Sequence, residues 1–163
     1  MKAASISEIK QELSTLEPAK LLELCLRLAR YKKDNKELLN YLLFEAYDEQ
    51  AYIRNVKTEI EEAFREINQS NLYFAKKSLR KILRNTAKHI RYTASKQAEV
   101  ELLLHFCDTL KHSGIPIKNS TALVNLYHFQ LKKIAKTIAT MHEDLQYDYL
   151  KVLDMLRKHL LPA

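Results

Sequence analysis

An all-α fold follows from three features of the sequence. Apolar residues recur at spacings of three and four along nearly the whole chain, helix-start signals fall between these periodic stretches, and backbone-turn residues are scarce, with one glycine and three prolines in 163 residues. So little glycine disfavours sandwiches and barrels, and it excludes the glycine-dependent phosphate loops of P-loop and Rossmann nucleotide sites. The expected architecture is about eight helices in stacked antiparallel hairpins, either an α-α superhelix (solenoid-like) or a compact bundle. No self-similar repeat period is visible.

The elements read in order. Ser5 with Glu8 forms a capping-box pattern that opens a short first helix, and Ser14 with Glu17, followed by Pro18, predicts a second running to Tyr31. Asp34 with Glu37 repeats the signal before "NKELLNYLLFEAY". Asp48 opens a fourth helix to about Ile67, with Ile53, Val56, Ile60, Phe64 and Ile67 on one face. After the polar break "NQSN", a fifth helix spans 72 to 92, a sixth runs from Ser95 to a cap at Gly114, and a seventh runs from Ser120 to Thr140. Thr140 with Glu143 predicts a last capping box, opening a helix to about Leu161. The chain reads as a single helical domain over 1–163, with a hinge or corner at "HSGIPIKNS", residues 112–120.

Cys25 and Cys107 lie inside the apolar runs "LELCLRL" and "LLLHFCDTL" without metal-finger spacing, so both are expected to be core thiols in a reducing compartment. The N-terminal "MKAASISEIKQEL" is broken by charges before a signal-peptide core could form, and no run reaches membrane-spanning length. These features predict a cytoplasmic protein of bacterial style, without membrane insertion and without a cofactor.

Charge is concentrated in one place. Residues 67–98 carry eight Lys and Arg and no acidic residue, whereas the segments on either side are nearly neutral, so this stretch accounts for the net charge of +7. Its centre, "LRKILRNTAKHIR", places five Lys and Arg plus His89 in thirteen positions. On a helical wheel, Leu72, Ala75, Leu79, Ile82, Leu83, Thr86 and Ile90 share one side. Lys77, Arg80, Lys81, Arg84, Lys88 and Arg91 share the other, with Tyr73 among them and Tyr92 at the edge. Such a face suits an acidic protein partner, or a nucleic acid whose phosphates meet the cations and whose bases stack on tyrosine. A neighbouring acidic stripe, Glu59, Glu62 and Glu66, could neutralise only its flank near Lys76 and Arg80.

Two motifs carry candidate chemistry. "RNTAKH", residues 84–89, resembles the Arg-Asn-three-residues-His pattern of the HEPN family of all-helical ribonucleases. The resemblance implies that Arg84 stabilises phosphate charge and His89 acts as acid or base across a dimer interface. Helix geometry nonetheless directs the two side chains about 140° apart within one protomer. Glu101, His105, Asp108 and His112 follow at spacings of four, three and four, which would let neighbours share a metal ion, although exposed helical Glu/His and Asp/His pairs do the same without one.

The opening "ISEIKQELSTLEPAKLLELCLRLARYKKDNKELLNYLLFEAY" and the later "KQAEVELLLHFCDTL" resemble a group of small bacterial all-helical proteins without an assigned activity. That resemblance implies the helical-hairpin fold and no function. The sequence therefore favours a non-enzymatic interaction module that presents residues 72–92 to an acidic partner, with nucleic-acid binding next and a HEPN-like ribonuclease third.

Overall fold

The computed structural model describes residues 3–158. These residues form eight α-helices and one 3-10 turn, with no strand among them. The chain divides into two compact units, residues 1–45 and 46–163. The expected corner at 112–120 lies inside the second unit, and the division falls at 45/46.

The first unit contains α1 (Ile6–Ser14), α2 (Pro18–Tyr31) and α3 (Lys33–Phe44). The Ser5 capping box forms in full: the Glu8 amide donates to Ser5 Oγ at 3.3 Å, and the Ser5 amide donates to the Glu8 carboxylate at 2.7 Å. The other two predicted start signals in this unit act differently. Ser14 stays in α1 and donates its hydroxyl to the Gln11 carbonyl, while α2 begins at Pro18, whose missing N–H costs nothing at a first helical position. Asp34 falls within the first turn of α3, where its charge suits the helix dipole, rather than at the cap. The helices α2 and α3 pack together as a hairpin. Tyr41 is the one buried side chain among residues 3–45, and Cys25, expected in a core, is exposed.

The second unit holds the core. It comprises α4 (Glu49–Arg65), α5 (Leu72–Thr93), α6 (Lys96–His112), a 3-10 turn (Ile117–Asn119), α7 (Thr121–Ile138) and α8 (Glu143–Lys158). Asp48, Asn71, Ser95 and Ser120 cap four of these helices through their side chains, three of them as the sequence predicted. Thr140 instead donates to the Thr137 carbonyl at the end of α7, so the last capping box does not form. The predicted end of α8 near Leu161 lies outside the described residues.

Within this unit the helices form a bundle around α6, which packs against α4, α5, α7 and α8. Its Ala98, Val100, Leu102, Phe106, Cys107 and Leu110 are wholly buried, and Phe106 meets Phe64 of α4 with ring centroids 5.3 Å apart. Burial pushes the Cys107 thiol far above its ordinary range, which makes it an inert core group. The stripe predicted for the fourth helix is buried: Ile53, Val56, Ile60 and Phe64 lie on α4, and Ile67 follows just past its end at Arg65. Tyr127 of α7 is fully buried and donates its hydroxyl to the Leu156 carbonyl of α8 at 3.2 Å. The same burial raises its phenol above the usual range. No described helix is long and apolar enough to cross a membrane.

Candidate functional site

The basic face lies along α5, the most strongly amphipathic of the described helices. Ala75, Leu79, Ile82, Thr86 and Ile90 are buried, and Thr86 returns its hydroxyl to the Ile82 carbonyl at 3.0 Å so that its polar atom is satisfied in the core. With that side fixed inward, helix geometry turns Lys77, Arg80, Lys81, Arg84 and Arg91 to the opposite side, and all five are exposed. None of the five has an ion-pair partner among the described residues. Lys88 is half-buried and takes part in an interaction.

The neighbouring acidic stripe does not neutralise this face. Glu59 approaches His89, with 3.5 Å between its carboxylate and Nε2, while Glu62 and Glu66 reach none of the α5 cations. Tyr73 is 63% exposed at the start of the same face, with the Lys76 ammonium 6.0 Å from its ring centre and Phe74 packed edge-on. Tyr92 differs from its expected edge position: it is buried, edge-on to His89 at 6.0 Å between ring centres, and presents nothing to a ligand.

The two halves of the "RNTAKH" motif are separated. Arg84 projects from the exposed face, whereas His89 turns into the α4–α5 seam, where its Nδ1 lies 2.7 Å from the Tyr52 hydroxyl. Beside it, Asn85, His89, Glu59 and Ile60 help line a cavity of about 70 Å³. That volume suits a few water molecules and is far below the ~300 Å³ or more of a small-molecule pocket. The acid-or-base role implied for His89 would thus require a ring already held by Tyr52 and Glu59 to be released.

The spaced acids and histidines of α6 also go separate ways. Glu101 accepts hydrogen bonds from Lys57 at 2.7 Å, Gln97 at 3.1 Å and Tyr149 at 3.1 Å, joining α4, α6 and α8. Burial alone would raise the Glu101 carboxyl, but these donors and the Lys57 charge outweigh it and hold the group below its ordinary value of 4.5. Burial, followed by the Glu101 charge, pushes the Tyr149 phenol up to about 12.

His105 faces Glu61, whose Oε1 lies 3.0 Å from Nε2. The buried Nε2 makes no hydrogen bond, so the pair is a charge proximity only. Burial lowers His105 below its ordinary 6.5 and outweighs the opposing pull of Glu61. Asp108 and His112 pair with each other at 3.4 Å. Among the described residues no three His, Cys, Asp or Glu side chains converge to hold a metal ion.

Two clusters had no signal strong enough to be read in advance. The Lys57–Glu101–Tyr149 network joins residues 44 and 48 positions apart, a pairing only tertiary packing creates. Arg30, Lys32, Lys33 and Lys36 come together at the groove between α2 and α3, a grouping the charge count of residues 1–66, which is nearly neutral, does not reveal. Compared with known family models, curated proteins and solved structures, the chain shows no significant match to any of them.

Proposed function

We propose that the protein is a non-enzymatic helical interaction module that binds an acidic partner surface through the outer face of α5. One observation carries this reading: Lys77, Arg80, Lys81, Arg84 and Arg91 are exposed on one face with no carboxylate partner among the described residues. Like charges on adjacent helical turns repel one another, and an opposing anionic surface relieves that repulsion. The separation of Arg84 from His89 supports binding over catalysis. A cytoplasmic setting belongs to the proposal and is supported by the exposed free thiol of Cys25.

A second reading, nucleic acid on the same face, is favoured by Tyr73, an exposed aromatic ring beside the cations. Both readings are tested by titrating labelled poly-glutamate, RNA and DNA with wild type and with a Lys77→Glu, Lys81→Glu, Arg84→Glu variant. Loss of poly-glutamate binding in the variant supports the protein-partner reading. Preference for RNA or DNA, with a log–log salt slope near −0.9 per contacted phosphate, favours nucleic acid. Cleavage of RNA that is lost on changing Arg84 or His89 would restore the ribonuclease reading, and equal binding by wild type and variant would remove α5 from consideration.

A further inference from the structure

We infer that the first unit is a self-association module, in which α1 of one chain docks into the α2–α3 groove of a second copy and the exchange is reciprocal. Helices α1 to α3 bury almost nothing within residues 3–45, although they are rich in leucine and isoleucine. A unit of this size without a core depends on association for its stability. Its two unsatisfied surfaces complement each other.

One surface is the groove between α2 and α3, about 610 Å³, with Leu26, Leu39, Leu43 and Phe44 along its floor. Leu43 and Phe44 are 62% and 64% exposed. Arg30, Lys32, Lys33 and Lys36 line the end of the groove nearest the interhelical turn. Lys33 lies 3.5 Å from Glu37, and the other three have no carboxylate partner among the described residues.

The other surface is α1 itself. Ile6, Ile9 and Leu13 fall along one side of the helix and are all exposed, with Glu12 on one flank of the stripe and Lys10 on the other, while Glu8 is held in the Ser5 capping box. No extensive packing joins α1 to α2 or α3. An apolar stripe flanked by the Glu12 carboxylate is thus found on the same chain as an apolar groove whose end carries Arg30, Lys32 and Lys36. Helix-in-groove docking matches both the floor and the charge.

The electrostatic balance favours a copy of the same chain as the occupant. Residues 3–45 contain seven basic and seven acidic residues, so two such units approach without net repulsion. The area is also adequate. The exposed fractions of Ile6, Ile9, Leu13, Leu26, Leu43 and Phe44 amount to roughly 380 Å² of apolar surface per chain. Interfaces are a little over half apolar, so the total is about 670 Å² per partner, inside the lower part of the range for standard stable interfaces. Reciprocal exchange makes the contact isologous and closes it at a dimer.

The test is sedimentation equilibrium of the full chain up to ~100 μM. We expect a dimer. Leu43→Asp, at a site that the monomer leaves exposed, should weaken it at least tenfold while circular dichroism stays unchanged. Glu12→Lys and Lys36→Glu should each weaken the dimer, and the two together should recover most of the loss. A wild type that remains monomeric overturns the inference, including the case in which α1 folds back onto its own hairpin. A dimer indifferent to Leu43→Asp overturns it as well, because the contact would then lie elsewhere.

Discussion

The pairing of Lys57 with Glu101 gives the sharpest test of what joins the helices of the second unit. Their side chains are 29% and 17% exposed, the N–O distance is 2.7 Å, and Glu101 also holds Gln97 and Tyr149. A surface pair of this kind contributes roughly 0 to 1 kcal/mol, and a fully buried one costs about 3 to 5 kcal/mol to break. The intermediate exposure and the charge-assisted bonds place each single change, Lys57→Met or Glu101→Gln, at about 2 kcal/mol of destabilisation. In a chain of this length that lowers Tm by about 4 to 8 °C.

The coupling between the two changes should be about 1 to 1.5 kcal/mol, measured by urea unfolding of the four members of a double-mutant cycle at neutral pH. A pH series adds a second check. Glu101 is held below 4.5, so its contribution is complete above 4.5 and is lost as pH falls through the lower folded-state value. The gap between wild type and Glu101→Gln should therefore close on acidification. Coupling of less than ~0.3 kcal/mol, or a gap that widens in acid, would refute the reasoning.

Other expectations follow from the same geometry. His105 titrates below 6.5 because burial disfavours its charged form, so the protein loses stability as pH falls below 6.5, where the unfolded chain takes up a proton first. An NMR titration of its ring checks this, and a value at or above 6.5 would contradict it; His105→Gln should flatten that part of the Tm profile. Ala94, the left-handed cap of α5 at φ 50°, is the one non-glycine described residue with positive φ. Ala94→Gly should raise stability by about 1 kcal/mol and Tm by a few degrees. Gly114→Ala should lower it by a similar ~1 kcal/mol through φ 78° alone, because an added Cβ would lie 4.0 Å from the nearest atom, Gln69 Oε1.

Much of the fold was legible because helices announce themselves locally. The α4 stripe, the caps at Asp48, Ser95 and Ser120, and the inner side of α5 are all set by residues within a few turns of one another. Ser14, Asp34 and Thr140 misled for a local reason too: a hydroxyl or carboxylate near a helix boundary can serve the end of one helix, or the first turn of another, as well as it can cap. The basic face was legible as a charge pattern, but the inward turn of His89 toward Tyr52, 37 positions away, was not. Cys25 shows the limit of hydropathy: it sits in the same kind of leucine-rich run as Cys107, and only tertiary packing makes one exposed and the other buried.

The enclosure of α6 divides labour within the second unit. A helix wrapped by α4, α5, α7 and α8 has little surface left to offer a ligand, while the outer face of α5 contributes nothing to the interior. Under the function proposed for the α5 face, robustness and recognition fall to different residues. Selection, or an engineer, can rewrite the charges at 77, 80, 81, 84 and 91 to change what the molecule meets, without drawing on the reserve that keeps it folded.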